Sequence, residues 1–405
     1  MLDVGSYRLS ENLARTYQPH FTYSQTHNLS AFKQYGFPIT VENVDGLRQF
    51  VDAFHEGQFE ELLVEQDGFT QEEWDLFSTA ISQNIEMQSY LFPGRPQIIP
   101  YSSMLSTLLV YNKIMSMKDN VSTVLEVGPG SGALSFFLNQ NESLRLYSQI
   151  EVCESLYLLQ SAVNHHSFGQ HAFEHAYSSV DKSDEFFGGV VRPPWTEHGD
   201  EIDYFIKTTP EIRCEHYPWW KIGKISEKKN FFDIITSNAN FNEFSDTALH
   251  FYLRLFNDIL KEDGAIIVQC PGADHQNRFA DLVSTLTLHG FAIVTYAPEK
   301  LCINQNSNGK ESRKLVNGNL ILVKKGHPFY QKYCCNDFDA SEYFFASENF
   351  VSRMFFSFNP EKKWLSKNDL KEKMLSHLKE VDAAANVTFP NPRQDEPRES
   401  ISRLD

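Results

Sequence analysis

VLEVGPGSG, residues Val124 to Gly132, is an apolar run that ends on an acid and passes at once into glycines at alternate positions, Gly128, Gly130 and Gly132. A short apolar run bounded by turn residues reads as a buried strand, and glycines directly after it supply backbone conformations closed to other residues. Gly128 and Gly130 then let a ligand approach the main chain, and Gly132 permits close strand-to-helix packing. The same triplet also suits a tight turn that binds nothing, because glycine spacing alone is weakly specific.

Outward from this loop the chain alternates strand and helix, as a parallel sheet covered by helices requires. STVLEV (122–127) is the first strand and ALSFFLNQ (133–140) the helix after it. LRLYSQIEV (144–152) is a second strand, followed by the helix SLYLLQSAVNHH (155–166), whose apolar residues cluster on one face. An insert at about 167–210 carries no periodicity and is long for a connection. EIRCEHYPWW, FFDIITSNA and EDGAIIVQC are the third, fourth and fifth strands, with helices expected at 245–261 and 274–289. GFAIVTYAP and LVNGNLILVKKG are two last strands joined by a polar, asparagine-rich connection suited to a hairpin.

Three features separate the candidate ligands. The loop runs GxGxG with an acid two residues earlier, whereas a dinucleotide fingerprint runs GxGxxG, which Ala133 meets only in its alanine-ending variant. Glu151 or Glu154, after the second strand, can accept hydrogen bonds from both hydroxyls of a ribose. The terminal hairpin is not expected of a plain alternating dinucleotide fold. On these residues, 122–325 resembles a class I S-adenosylmethionine (SAM)-dependent methyltransferase. The resemblance implies an α/β, Rossmann-like seven-stranded sheet with an antiparallel last strand. It also implies a glycine loop (Glu126, Gly128, Pro129, Gly130, Gly132) that holds the amino-acid end of SAM, and an acid, best matched by Glu151, that holds its ribose. Pro129 stands where a small or sulfur-containing residue is commoner in that family, with the glycine spacing intact. IEVCESLYLLQ, HYPWW and SNANFNEFSDTALHFYL, in that order, further resemble a group named for sugar O-methylation, which transfers reaction type better than substrate identity.

The reacting site is expected after the fourth strand, at Ser237 to Phe244, because open α/β sheets place ligands at the carboxyl ends of their strands. Methyl transfer asks a protein chiefly to align the acceptor and remove its proton. Glu243 can be that base, and the amides of Asn238, Asn240 and Asn242 can orient acceptor oxygens, with Asn238 also reaching the cofactor. Asn242 and Glu243 equally suit capping of the helix near Ser245. His216 is a second candidate base beside Trp219 and Trp220, which can wall a sugar or aromatic acceptor or simply pack in the core. His250, two helical turns past Glu243, and Arg95 are weaker candidates for the cleft and for a carboxylate. His165, His166, His171 and His175 surround Glu174, but a glycine interrupts the segment and no metal is expected.

Composition sets the boundaries. A formal charge of −17 disfavours nucleic acid as a partner and leaves a small-molecule acceptor. Six cysteines without CxxC spacing, no basic-then-apolar leader and no apolar run of membrane-spanning length point to the cytoplasm and away from a membrane. A homo-oligomer is compatible with all of this. We divide the chain into a helical N-terminal region (1–92), a methyltransferase domain (93–330) and a C-terminal extension (331–405). The sequence TQEEW suggests a capped helix over 70–92, Met104 to Met115 an amphipathic helix beside the cofactor, and Ser366 to Glu380 a last helix before a proline-rich tail expected to fray.

Overall fold

A computed structural model describes residues 4–17, 38–54, 56, 59–177, 211–238, 240–241, 244–269, 276–297, 301–305, 311–315, 319–327, 361–383 and 386–390. The helices are α1 (Val4–Tyr17), α2 (Arg48–Asp52), α3 (Phe59–Gln66), α4 (Gln71–Leu91), α5 (Tyr101–Ser116), α6 (Ser135–Leu138), α7 (Glu154–Phe168), α8 (Ile222–Ile225), α9 (Asp246–Ile259), α10 (Gln276–Leu288) and α11 (Lys367–Glu380). The strands are β1 (Gln97–Ile98), β2 (Thr123–Val127), β3 (Leu146–Glu151), β4 (Ala172–Glu174), β5 (Cys214–Pro218), β6 (Phe232–Asn238), β7 (Leu260–Gln269), β8 (Phe291–Ala297), β9 (Leu301–Gln305), β10 (Glu311–Leu315), β11 (Asn319–Lys324) and β12 (Val387–Thr388).

The principal sheet is α/β and Rossmann-like, in the order β4-β5-β3-β2-β6-β7-β11-β8. Its pairs are parallel except those of β11, which runs antiparallel to both β7 and β8. β2 and β3 are buried along their whole length, as interior strands covered on both faces should be. The order reverses at β2, from which the chain moves first to β3 and later to β6, so the open crevice lies above the carboxyl ends of those three strands.

The sheet has eight strands among the described residues, not the expected seven. The additional one, β4, lies inside the stretch read as an unassigned insert and pairs with β5 at the edge. Three residues are too few to carry an alternating signature, so the strand is invisible to pattern reading. The last two principal strands are antiparallel neighbours, as expected, and the connection between them holds a further hairpin, β9 and β10.

α4 begins on the expected capping box: Thr70 Oγ1 accepts from the Glu73 amide at 3.1 Å, and Glu73 Oε2 accepts from the Thr70 amide at 2.9 Å. This helix packs against α5, α6, α7 and α11, so it joins the N-terminal region to the sheet. The Val41 to Phe54 segment forms only a single 3-10 turn and the short α2. Gly46 has Val41 Cβ at 2.9 Å from where its own Cβ would sit, and that fold-back stops a longer helix. At the start of the tail, Val387–Thr388 pairs in parallel with β1, and Phe389 packs on Tyr101 at a ring separation of 5.6 Å. An aromatic anchor and main-chain pairing supply what polarity and proline content concealed. Residues 391–405 lie outside the described residues. No helix among those described is long and apolar enough to cross a membrane.

Candidate cofactor cavity

A cavity of about 290 Å³ sits where the crevice was expected. That is close to the lower bound of roughly 300 Å³ usual for ligand pockets. Glu126, Gly128, Pro129, Gly130, Glu151, Asn238 and Asn240, all singled out from the sequence, line it; Gly132 does not, although its neighbours Ser131 and Ala133 do. α5 walls the other side with Ser103, Ser106, Thr107 and Val110. Three hydroxyl-bearing residues at helical spacing therefore face the loop, a feature the reading of α5 as simply amphipathic did not resolve.

The three glycines have positive φ, of 64°, 59° and 73°. Their roles differ from the expectation. A Cβ on Gly130 would meet nothing within 4 Å, so this position is the one that leaves the main chain open to a ligand. At Gly128 a Cβ would lie 2.0 Å from Asn240 Oδ1. The space at Gly128 is thus reserved for the Asn240 amide, whose Nδ2 donates to the carbonyls of Val127 and Asn238, both at 2.8 Å. Asn240 locks the end of β2 to the end of β6, rather than only orienting a ligand.

Two buried carboxylates face this cavity. The Glu151 side chain is held at the end of β3 by the Val152 and Cys153 amides (2.7 and 2.9 Å) on Oε1 and by Gln160 Nε2 (2.8 Å) on Oε2. Burial pushes its pKa up, against the pull of those donors. Burial also raises Glu126, to about 7, with the Tyr147 hydroxyl bond drawing it down and the charge of Glu151 pushing it further up. No lysine or arginine is among the described lining residues. A cation entering the cavity would favour the charged form of both acids, so the site is electrostatically suited to positive charge.

Behind Glu126 lies a polar network the sequence reading missed. Gln149 Nε2 donates to Tyr147 Oη at 2.7 Å, Asn164 Nδ2 donates to Gln149 Oε1, and Ser135 Oγ donates to Asn164 Oδ1 at 2.8 Å. The available signal was the polar residues of α7: Gln160, Ser161 and Asn164 are as buried as its leucines, so the helix has no polar face there.

No family model and no curated protein matches the chain. Among solved structures it is similar to a TehB-like SAM-dependent methyltransferase from Corynebacterium glutamicum, at 11% identity and a TM-score of 0.30, covering 54% of this chain and 86% of that one. It is similar also to spermidine synthase from Thermotoga maritima, at 15% identity and a TM-score of 0.31, covering 61% and 75% respectively. A third is the methyltransferase domain of bacterial CtHen1, at 12% identity and a TM-score of 0.30, covering 54% and 98%.

The remaining candidates fall in several places. His216 does not reach the cavity: it is 1% exposed, and both ring nitrogens are engaged by Glu174 and Gln160. Position 216 lies mid-strand on β5, below the carboxyl end where ligands gather. Trp219 and Trp220 are core residues packed edge to face at 5.4 Å, with Trp219 Nε1 donating to Glu11, and they wall no acceptor space. Glu154 is occupied by Arg8, whose guanidinium meets both its oxygens at the start of α7, and this leaves Glu151 as the acid in the cavity. Arg95 is exposed and does not line the cavity. His250 faces away, its Nδ1 2.7 Å from His289 Nε2, and His289 lines a separate hollow of about 790 Å³ on α8 and α9. The cap of α9 is Ser245, whose Oγ accepts from the Ala248 amide at 3.2 Å. Asn242 and Glu243 lie outside the described residues. Among those described, no three His, Cys, Asp or Glu side chains converge as metal ligands.

Proposed function

We propose that the chain is a SAM-dependent methyltransferase that modifies a hydroxyl on a sugar or another small polar metabolite. The observation that carries the cofactor is the pairing of two burial-raised carboxylates, Glu126 and Glu151, with a glycine loop in a cavity that has no lysine or arginine among its described lining residues. A cationic ligand relieves the repulsion between those acids, whereas the pyrophosphate of a dinucleotide would add to it. Bound there, SAM would supply a methyl group already activated by its positive sulfonium. Glu151 would accept from the ribose hydroxyls and Gly130 would admit the ligand to the main chain, with Asn238 and the α5 hydroxyls completing the wall.

For the acceptor, we assign the proton to Glu243 and orientation of the hydroxyl to Asn242, which follow the cavity residues Asn238 and Asn240 in sequence. His216 receives no substrate contact in this reading. The overall charge of −17 favours a small acceptor over a polyanion, and the proposal places the reaction in the cytoplasm without nucleic acid or membrane. Calorimetry of the full chain should give binding of SAM and of S-adenosylhomocysteine and none of NAD; preference for NAD would reject the cofactor. Methyl-labelled SAM incubated with metabolite extracts, followed by mass spectrometry and NMR, identifies the methylated atom, and a labelled nitrogen or carbon would reject O-methylation. Glu243→Gln should keep cofactor affinity and lower turnover on the order of a hundredfold. Unchanged turnover would remove Glu243 as the base.

A further inference from the structure

A buried hydrogen-bond chain runs from the edge of the sheet to the cavity through four elements. Glu174 on β4 has Oε2 3.0 Å from His216 Nδ1 on β5, and His216 Nε2 is 3.0 Å from Gln160 Oε1 on α7. Gln160 Nε2 then donates twice, to Glu151 Oε2 and to the Gly130 carbonyl, each at 2.8 Å. All four side chains are buried, none more than 4% exposed. The end of the chain therefore touches both the acid and the loop of the cavity.

The chemistry of each link fixes its direction. Gln160 Nε2 meets two acceptors, so its amide stands with Oε1 toward His216, and Nε2 of the imidazole must carry hydrogen to satisfy it. The other imidazole nitrogen faces Glu174, whose Oε2 also accepts from the Tyr157 hydroxyl at 2.8 Å. Tyr157 further stacks on the imidazole, with ring centroids 3.6 Å apart and planes 8° from parallel, so the ring can neither tilt nor slide without losing that contact. Gly132 leaves room for the glutamine stem on the other side, where a Cβ would lie 3.2 Å from Gln160 Cγ.

We propose that Gln160 and His216 are positioning residues that set the Glu151 carboxylate and the Gly130 carbonyl for ligand binding, with β4 present in the sheet to bring Glu174 to the end of that chain. The proposal rests on the cofactor reading given above. An amide that bonds Glu151 and is itself bonded by His216 fixes which lone pairs of the carboxylate remain for ribose hydroxyls. Removing the amide leaves Oε2 without its donor and the carboxylate held through Oε1 alone by the Val152 and Cys153 amides, and the cost then falls on ribose recognition more than on the rest of the ligand.

The test is calorimetry at room temperature on the full-length chain, with S-adenosylhomocysteine and its analogue lacking both ribose hydroxyls, on the wild type, Gln160→Met and His216→Phe. Gln160→Met keeps the length of the side chain, and phenylalanine, a somewhat larger ring than imidazole, keeps the stack on Tyr157. Gln160→Met should weaken S-adenosylhomocysteine about tenfold or more while changing the analogue by less than about threefold, so that discrimination between them shrinks. His216→Phe should move in the same direction by a smaller factor, and it carries the same readout should Gln160→Met not fold. Parallel weakening of both ligands, or unchanged affinity for both, would overturn the positioning role. A wild-type chain that binds neither ligand would instead reject the cofactor reading itself, and circular dichroism of each variant separates loss of binding from loss of fold.

Discussion

Gly128→Val is expected to abolish S-adenosylhomocysteine binding and to destabilise the fold, whereas Gly130→Ala should impair binding with a much smaller effect on stability. Both positions sit at φ near 60°, where a side chain costs on the order of 1–3 kcal/mol. They differ in what the new atoms meet. At Gly128 a Cβ would lie 2.0 Å from Asn240 Oδ1 and 2.5 Å from its Cγ, and the amide cannot swing aside without releasing the Val127 and Asn238 carbonyls. Orphaning such buried groups costs about 1–3 kcal/mol more, and the β-branched valine is stiffer still at positive φ. Together these are a substantial part of the roughly 5–15 kcal/mol that holds a domain folded. At Gly130 nothing lies within 4 Å, so the methyl group enters only the space a ligand would use. Differential scanning calorimetry and ligand titration of the two variants decide it. Equal melting temperatures would show that Asn240 can yield, and retained binding in Gly130→Ala would mean that the ligand does not approach the loop there.

The contrast between these glycines shows where the sequence was legible. An apolar strand, an acid and a glycine turn are local features, and β2, its loop and the cavity lip at Glu151 and Asn238 follow from them. Which glycine meets a ligand and which meets Asn240 depends on a residue more than a hundred positions away, and no local pattern records that. His216 lies away from the cavity for the same reason: its neighbours in sequence suggested an apolar or stacking wall, but its partners Glu174 and Gln160 arrive from β4 and α7. Gln160 itself was hidden because a polar residue on an amphipathic helix is ordinarily assigned to solvent. Here α7 is covered on every side between Ser155 and Asn164, and its polar side chains turn to Glu151 and His216 through Gln160 and to Gln149 and Ser135 through Asn164. The capping box of α4, by contrast, was readable, since both partners lie within one turn.

Asp233→Ala is expected to cost about 3 kcal/mol of stability and to leave ligand affinity unchanged, because Asp233 works at the opposite end of the strand from the cavity. It begins β6, whose other end, Asn238, lines the site. Its Oδ1 accepts from Lys118 and Lys261 at 2.8 and 2.9 Å, and Oδ2 accepts from the Ser122 and Thr123 amides, both at 3.0 Å, so it ties the starts of β2, β6 and β7 together. Losing one partner of a buried ion pair costs roughly 3–5 kcal/mol. Lys118 and Lys261 keep 26% and 31% of their side chains in solvent, and screening there argues for the lower figure. Burial by itself would raise the carboxyl pKa, yet the lysine and main-chain donors hold it well below the usual range. A depressed folded-state pKa gives stability that is fully present above the unfolded value of about 4 and lost as pH falls toward the folded one. Urea denaturation of wild type and variant should therefore show a constant gap from pH 7 down to about pH 5 that narrows only in stronger acid. A gap below about 1 kcal/mol at neutral pH would mean that the two lysines find water as readily as the carboxylate. A loss of S-adenosylhomocysteine binding at temperatures where the variant remains folded would mean that the two ends of β6 are coupled through the sheet, and that the cavity depends on more than its own lining.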